Sequence, residues 1–295
     1  MAFDGVATRE QLLGSGVTPG FIDAQIEARR WCQLNDHVVA LHNGPLTSEQ
    51  ARLAVYLSAP APAALCGLTA AQMGGLCGFE TQTVHILVTR GARVLPVPGV
   101  DVATHESRRF SADDVYTLYK PARVRIERAV IDAAVWSRDV QTASRIVAAA
   151  VQQRLTSPTA LREEFLRAGR VRHRRVLLVL LADLDGGAQA LSEVELRRFC
   201  RRHDFPIPVM NVRNDATGRR RYIDAELRTP NGGVVRLEID GGVHLSLSAR
   251  WRDTRRDNSL ALKGVHPLRY PSVAIYTDDP QAVAQIREAL RLVSA

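Results

Sequence analysis

Short segments with a helical or a strand period follow one another along the chain. In the first segment, Thr8 and Gln11 have the three-residue spacing of a capping box, which predicts the start of a helix. Thr18 and Pro19 predict the start of a second helix, because Thr caps well and Pro is favoured in a first turn. Two strand-like runs then flank an Asn-Asp pair at 35–36, which favours a hairpin.

The order helix, turn, helix, hairpin predicts a winged helix-turn-helix-like module over residues 1–45. In such a module the second helix enters a DNA major groove, and Arg29 and Arg30 at its end are the candidate DNA contacts. Small helix-turn-helix units also serve as protein-interaction modules, and Asp23 and Glu27 make this helix partly acidic. Both interpretations stay open at the level of sequence.

The middle of the chain predicts a small α/β unit over residues 46–135. A helix at 48–57, a strand rich in β-branched residues at 84–88 and an amphipathic helix at 124–136 are its clearest elements. Residues 136–182 have apolar positions at helical spacing and predict a helical connector.

The last part of the chain, 183–295, predicts an α/β domain built around a hairpin. Gly and Pro residues separate runs that alternate as strands should. The predicted elements are a helix at 192–199, strands at 209–212, 221–227, 234–241 and 265–270, a turn at 230–233 and a final helix at 280–292.

Three acidic residues of this hairpin fall at the end away from its turn. Glu238 and Asp240 lie two residues apart on one strand and therefore share a face, and counting back from the turn brings Asp224 beside them. Carboxylates this close raise one another's pKa unless a cation neutralises them. The pattern predicts a Mg²⁺ or Mn²⁺ site that binds a scissile phosphate and activates water, with Glu195 on the preceding helix as a further carboxylate.

Residues 5–135 carry motifs that resemble the N-terminal half of AbiEi-type antitoxin-like proteins. These motifs are the opening GVATREQLLGSGVT, the segment ALCGLTAAQMGGL and the helix VRIERAVIDAA. The resemblance implies a transcriptional or toxin-regulating role that depends on DNA binding, with a cognate toxin protein as partner.

Residues 185–292 carry six motifs in order: S-E-V-E-L-R-R-F, F-P-I-P, R-Y-I-D-A-E, R-L-E-I-D-G-G-V-H, W-R-D-T-R-R-D-N and L-R-Y. In this order they resemble the Vsr-like endonuclease domains of the PD-(D/E)XK superfamily, which are related to very-short-patch repair endonucleases. The resemblance implies a restriction-endonuclease-like α/β/α domain with Asp224 and Glu238 as metal-binding acids.

The same resemblance assigns the remaining catalytic positions. Asp240, also a candidate metal ligand, and His244 fill the later motif positions, and Glu195 matches the acid of the preceding helix. Many of these nucleases carry a catalytic Lys where this chain has Asp240. His244 is then the candidate acid or base, because imidazole titrates near neutral pH. Arg256 and Lys263 are the candidate phosphate and DNA contacts.

Composition and charge are those of a globular protein with an uneven charge distribution. Of 295 residues, 46% are hydrophobic and 24% charged, which excludes a mainly disordered chain. Charges balance over residues 1–150, so the whole net charge of +8 falls in 151–295. A basic half favours a polyanionic partner such as nucleic acid, although GC-rich coding also produces arginine.

Cysteine use and the absence of long apolar runs indicate the compartment. The four cysteines form no CxxC pair, which argues against a zinc cluster or a disulfide framework. No uncharged apolar run reaches the length of a membrane span, and the N-terminus has no secretory signal pattern. We therefore expect a cytoplasmic protein without a membrane partner.

Together these patterns predict an α/β multidomain protein that acts on DNA. The first hypothesis is a metal-dependent endonuclease that hydrolyses phosphodiester bonds, with an N-terminal DNA-binding region. The alternative is a non-enzymatic antitoxin or transcriptional repressor that uses an inactive nuclease fold as a scaffold. RNA as the substrate is a third interpretation.

Overall fold

The computed structural model describes most of the chain, in residues 4–107, 110–116, 121–185, 189–214, 221–240 and 268–294. Within these ranges, the side chains left outside the description are those of residues 112, 183, 189–194, 211–214, 221–224, 240 and 271–273. The described residues form a mixed α/β protein with three sheets. The chain divides into two compact units, 1–133 and 134–295.

The first unit contains two small sheets and the helices that cover them. Its elements are β1 (Val6–Thr8), α1 (Arg9–Gly14), α2 (Pro19–Glu27), β2 (Cys32–Gln33), β3 (Val38–Ala40), α3 (Ser48–Leu57), β4 (Ala63–Leu65), α4 (Gly67–Met73), β5 (Val84–Val88), β6 (Val102–Glu106), a 3-10 turn (Ala112–Asp114), β7 (Val115–Tyr116), β8 (Arg123–Val124) and α5 (Ile126–Trp136), which runs past the boundary.

The N-terminal helices begin where the sequence predicts. The Thr8 hydroxyl accepts a hydrogen bond from the Gln11 backbone N–H, and the Gln11 side chain accepts one from Thr8, which completes the capping box of α1. Thr18 caps α2 through the Phe21 backbone N–H. The predicted hairpin forms from β2 and β3, and β1 pairs on the other side of β3 in a sheet of order β1-β3-β2.

The second sheet of this unit has the order β6-β5-β4-β8-β7. Strand β5 matches its predicted bounds, and its inner residues pack with Val55 of α3 and Leu65 of β4. The prediction of a helix from Val124 is wrong at its start, because Val124 pairs with Val115 in the sheet and α5 begins at Ile126. A two-residue strand depends on its sheet neighbours rather than on a local period, which explains the error.

The second unit contains a helical segment followed by a four-stranded sheet. Its elements are α6 (Val140–Gln152), α7 (Pro158–Arg167), α8 (Arg174–Leu184), α9 (Gln189–Arg202), β9 (Val209–Asn214), β10 (Arg221–Arg228), β11 (Val234–Asp240), β12 (Leu268–Pro271), α10 (Ser272–Tyr276) and α11 (Pro280–Ser294). In the part of the chain that is described, no helix has both the length and the apolarity needed to cross a bilayer.

The sheet of the second unit has the order β12-β11-β10-β9. Strands β9, β10 and β11 run antiparallel in turn, and β12 is parallel to β11. One face of the sheet is apolar: Leu227, Leu237 and Tyr270 are buried with Phe199 of α9 and Ile286 of α11. The polar residues that alternate with them therefore lie on the opposite face.

The β10–β11 hairpin closes with a tight turn at the predicted position. The Thr229 backbone N–H donates to the Gly233 carbonyl, and Gly232 has a φ of +84°, which favours glycine. A Cβ at Gly233 would overlap the backbone carbonyl of Val293 in α11. Both glycines are thus required by the backbone, and this turn sets the register of the strands.

Candidate functional site

The register of the β10–β11 hairpin positions the predicted acidic residues. Ala225 is paired with Leu237, and Glu226 with Arg236. Continued by one residue away from the turn, this register brings Asp224 opposite Glu238. The backbones of Asp224 and Asp240 lie in β10 and β11, but their side chains fall outside the described residues. Their role as metal ligands therefore stays a prediction.

Glu238 is paired with an arginine from the neighbouring parallel strand. Residues Glu238 and Arg269 are register partners, and the Nε of Arg269 lies 2.7 Å from the Oε2 of Glu238. The side chain of Arg269 is more than half exposed. It therefore places a cation next to the predicted acidic end of the hairpin.

Nearer the turn, a second carboxylate is neutralised by two arginines. Glu226 is buried; its Oε2 lies 3.0 Å from Nη2 of Arg228, and its Oε1 lies 3.2 Å from Nε of Arg236. Glu226 and Glu238 are therefore both ion-paired on the polar face of the sheet.

Sequence reasoning did not identify Glu226, Arg228, Arg236 or Arg269 as parts of this face. The alternation of charged and apolar residues in R-Y-I-D-A-E-L-R was a signal for the first two. Arg269 belongs to the L-R-Y motif of the sequence, but only the parallel pairing of β12 with β11 brings Arg269 beside Glu238.

Glu195, the predicted helical acid, is buried between two arginines. Its Oε1 accepts hydrogen bonds from Nη2 of Arg175 at 2.6 Å and from Nη1 of Arg198 at 2.7 Å. Burial raises the pKa of the Glu195 carboxyl, but the hydrogen bonds and the charges of the two arginines outweigh burial, so its pKa is lowered overall. Glu195 is thus held ionised, and in this structure it links α8 to α9.

Changing Glu195 to Gln is expected to flatten the acid dependence of stability. A carboxyl whose pKa is lower in the folded state stabilises the fold above its unfolded pKa of about 4.3 and loses that contribution as pH falls through the folded pKa. The free energy of unfolding, measured by urea titration from about pH 6 to about pH 3, should therefore fall less in Glu195→Gln than in the wild type. Equal slopes would contradict the ion-pair assignment.

Three predicted site residues lie in the segment 241–267, outside the described residues. They are His244, Arg256 and Lys263. The general acid or base and these two phosphate contacts stay predictions.

The predicted N-terminal DNA contacts lie just beyond α2 rather than on its last turn. The helix ends at Glu27, Arg29 has a φ of +53°, and the Arg30 backbone N–H donates to the Gln25 carbonyl at 2.9 Å. This is a Schellman ending with arginine in the position that glycine usually takes. Both arginines are exposed, as is Asp23 of α2, which is ion-paired with Arg9.

The donor set of the hairpin is chemically suited to a hard divalent cation, because carboxylate oxygens are the ligands that Mg²⁺ and Mn²⁺ prefer. Among side chains within the description, no group of three or more His, Cys, Asp and Glu is close enough to hold a metal ion. The side chains of Asp224, Asp240 and His244 lie outside the described residues, so the metal site stays a prediction.

Similarity to known proteins does not identify the site. The chemistry of the site is therefore inferred from its residues, which are two carboxylates ion-paired with arginines on one face of a mixed sheet. No protein-family model matches the chain, and no curated protein sequence matches it.

Proposed function

We propose that the second unit is a metal-dependent endonuclease-like domain that hydrolyses phosphodiester bonds in DNA. The observation that supports this proposal is the hairpin register, which pairs Ala225 with Leu237; continued by one residue away from the turn, it would set Asp224 opposite Glu238. The resemblance of the surrounding motifs to Vsr-like endonuclease domains, and the order of one helix followed by β9 to β12, support it further.

Asp224 and Glu238, with Asp240, are the residues proposed to hold Mg²⁺ or Mn²⁺. The bound ion would lower the pKa of a water nucleophile and neutralise charge on the scissile phosphate.

Arg269 is proposed to supply the positive charge that a Lys at position 240 supplies in related nucleases. Its Nε lies 2.7 Å from the Oε2 of Glu238, its side chain is more than half exposed, and arginine is a cation in proteins. It can donate hydrogen bonds to a phosphate oxygen as negative charge develops there. Arginine does not accept a proton at neutral pH, so the proton of the attacking water goes to another group, for which His244 is the candidate.

A repressor or antitoxin without enzymatic activity is the second candidate function. The arrangement of α1, α2 and the β2–β3 hairpin favours it, because two helices followed by a hairpin is the order expected of a DNA-binding winged module. Under this interpretation the acidic hairpin contributes only a scaffold.

Incubation of the purified full-length protein with supercoiled plasmid tests the proposed function. We expect nicked or linear DNA with Mg²⁺ or Mn²⁺ and intact plasmid when EDTA is added. A parallel reaction with RNA of the same length distinguishes the substrate. Intact plasmid in both metals, with a gel shift that EDTA does not change, would overturn the nuclease proposal and favour the repressor.

A further inference from the structure

The exposed side of α9 is a band of arginines. Its buried positions are Leu196, Phe199 and Cys200, which pack into the core of the second unit. The exposed positions next to them along the helix are Arg197, Arg198, Arg201 and Arg202. At 3.6 residues per turn, these four arginines fall within an arc of about 140°, so their side chains leave the same side of the helix.

A buried carboxylate joins a fifth arginine to this band. Arg175 at the start of α8 and Arg198 both donate to one oxygen of Glu195, whose side chain is only 9% exposed. The side chains of Arg175 and Arg198 are 56% and 49% exposed. Each has five N–H groups and donates one of them to Glu195, so further donors are presented side by side to solvent.

Two further arginines of the band, Arg197 and Arg201, have exposed side chains. Among the described residues, no ion-pair or hydrogen-bond partner is found for the side chains of Arg197 and Arg201, whereas Arg202 is engaged by Asp278. The chain from 167 to 202 holds nine arginines against four acidic residues, one of which is the buried Glu195. Like charges held this close raise the local positive potential and favour a polyanion.

We propose that Arg175, Arg197, Arg198 and Arg201, here called the arginine face, bind the phosphate backbone of duplex DNA. Guanidinium groups recognise phosphate oxygens through paired N–H donors, and one helical turn of about 5.4 Å separates Arg197 from Arg201. Glu195 is a positioning residue in this proposal, because it holds Arg175 and Arg198 together. The choice of DNA as the ligand rests on the proposed function, whereas the binding itself does not require cleavage.

The test is fluorescence anisotropy of a labelled 30-bp duplex with the full-length protein in EDTA. The test variant is Arg197→Ala/Arg201→Ala, and the matched control is Arg90→Ala/Arg93→Ala, which removes two exposed arginines from the first unit. We expect about 60-fold weaker binding of the test variant near 0.1 M salt and a salt slope shallower by about 2, because each lost phosphate contact costs roughly eightfold at that salt concentration. The control should stay within about threefold of the wild type.

Equal affinities of the test variant and the wild type, or equal losses in the test variant and the control, would overturn the proposal. A competition experiment is the second check. If polyglutamate displaces the labelled duplex at the same concentration of charge as unlabelled DNA does, the proposal is overturned, because that result indicates a docking site for an acidic protein. Thermal unfolding checks that the exposed substitutions leave the midpoint of unfolding unchanged. Because EDTA removes the metal, the anisotropy assay measures binding without cleavage. If the protein binds the duplex in EDTA but does not cleave plasmid with Mg²⁺ or Mn²⁺, the proposed nuclease function is rejected and the binding role of the arginine face is not.

Discussion

Replacing Glu238 with Gln, or Asp224 with Asn, is expected to reduce metal-dependent cleavage of plasmid DNA by about 100-fold or more. Each substitution keeps the size of the side chain and removes one negatively charged oxygen ligand. Loss of metal-assisted charge stabilisation of about 3 kcal/mol corresponds to this factor. The initial rate of nicking at saturating Mg²⁺ is the measurement, and DNA affinity in EDTA should change less than about threefold.

Glu288→Gln is the matched control for this experiment. Glu288 lies on α11, is partly exposed and is ion-paired with Arg291, so the change removes the same charge away from the hairpin. Its cleavage rate should equal that of the wild type. Cleavage that persists in both Asp224→Asn and Glu238→Gln would reject the assignment of the metal-binding acids, even if the protein is a nuclease.

Replacing Arg128 with Met is expected to destabilise the first unit by about 3–5 kcal/mol. The Arg128 side chain is only 3% exposed; its Nε donates to Asp132 at 2.7 Å and its Nη1 donates to Asp114 at 3.2 Å. Its Nη2 also donates to Ser107. Removing the cation leaves two buried carboxylates without that partner. Removing one partner of a buried ion pair lowers the free energy of unfolding by about this amount.

Arg125→Met is the control for the Arg128 substitution. Arg125 precedes α5, its side chain is 54% exposed, and its Nε lies 3.8 Å from Glu127, so the change should stay within about 0.5 kcal/mol. Urea unfolding followed by circular dichroism measures both variants. A loss below about 1 kcal/mol in Arg128→Met would mean that the buried network contributes little to stability.

Most helices of this chain could be predicted because their signals are local. The capping box at Thr8 begins a helix at the next residue, and the predicted helix at 48–57 matches the bounds of α3. The connector 136–182 was predicted as helical, and the structure divides it into α6, α7 and the greater part of α8. Strands of two or three residues, such as β4, β7 and β8, were missed because they exist only through pairing with distant segments.

The candidate site also has some features that could be predicted from the sequence and others that could not. The alternation in β10 and β11 and the glycines of their turn were sufficient to predict the hairpin, which the structure contains, whereas the joint role of Asp224, Glu238 and Asp240 stays a prediction. The ion pairs that surround the site could not be predicted. The sequence predicts Glu195 as an additional site carboxylate, and in the structure Glu195 is bound by Arg175 and Arg198.

The order of residues alone was enough for the helix starts, the hairpin and its turn, since each depends on neighbours within a few positions. The tertiary structure decided which charged side chains form ion pairs. Arg269 reaches Glu238 only because β12 pairs in parallel with β11, and Arg175 reaches Arg198 only because a buried carboxylate joins two helices. Contacts between residues 20 or more positions apart depend on how elements pack, and a local period carries no information about that packing.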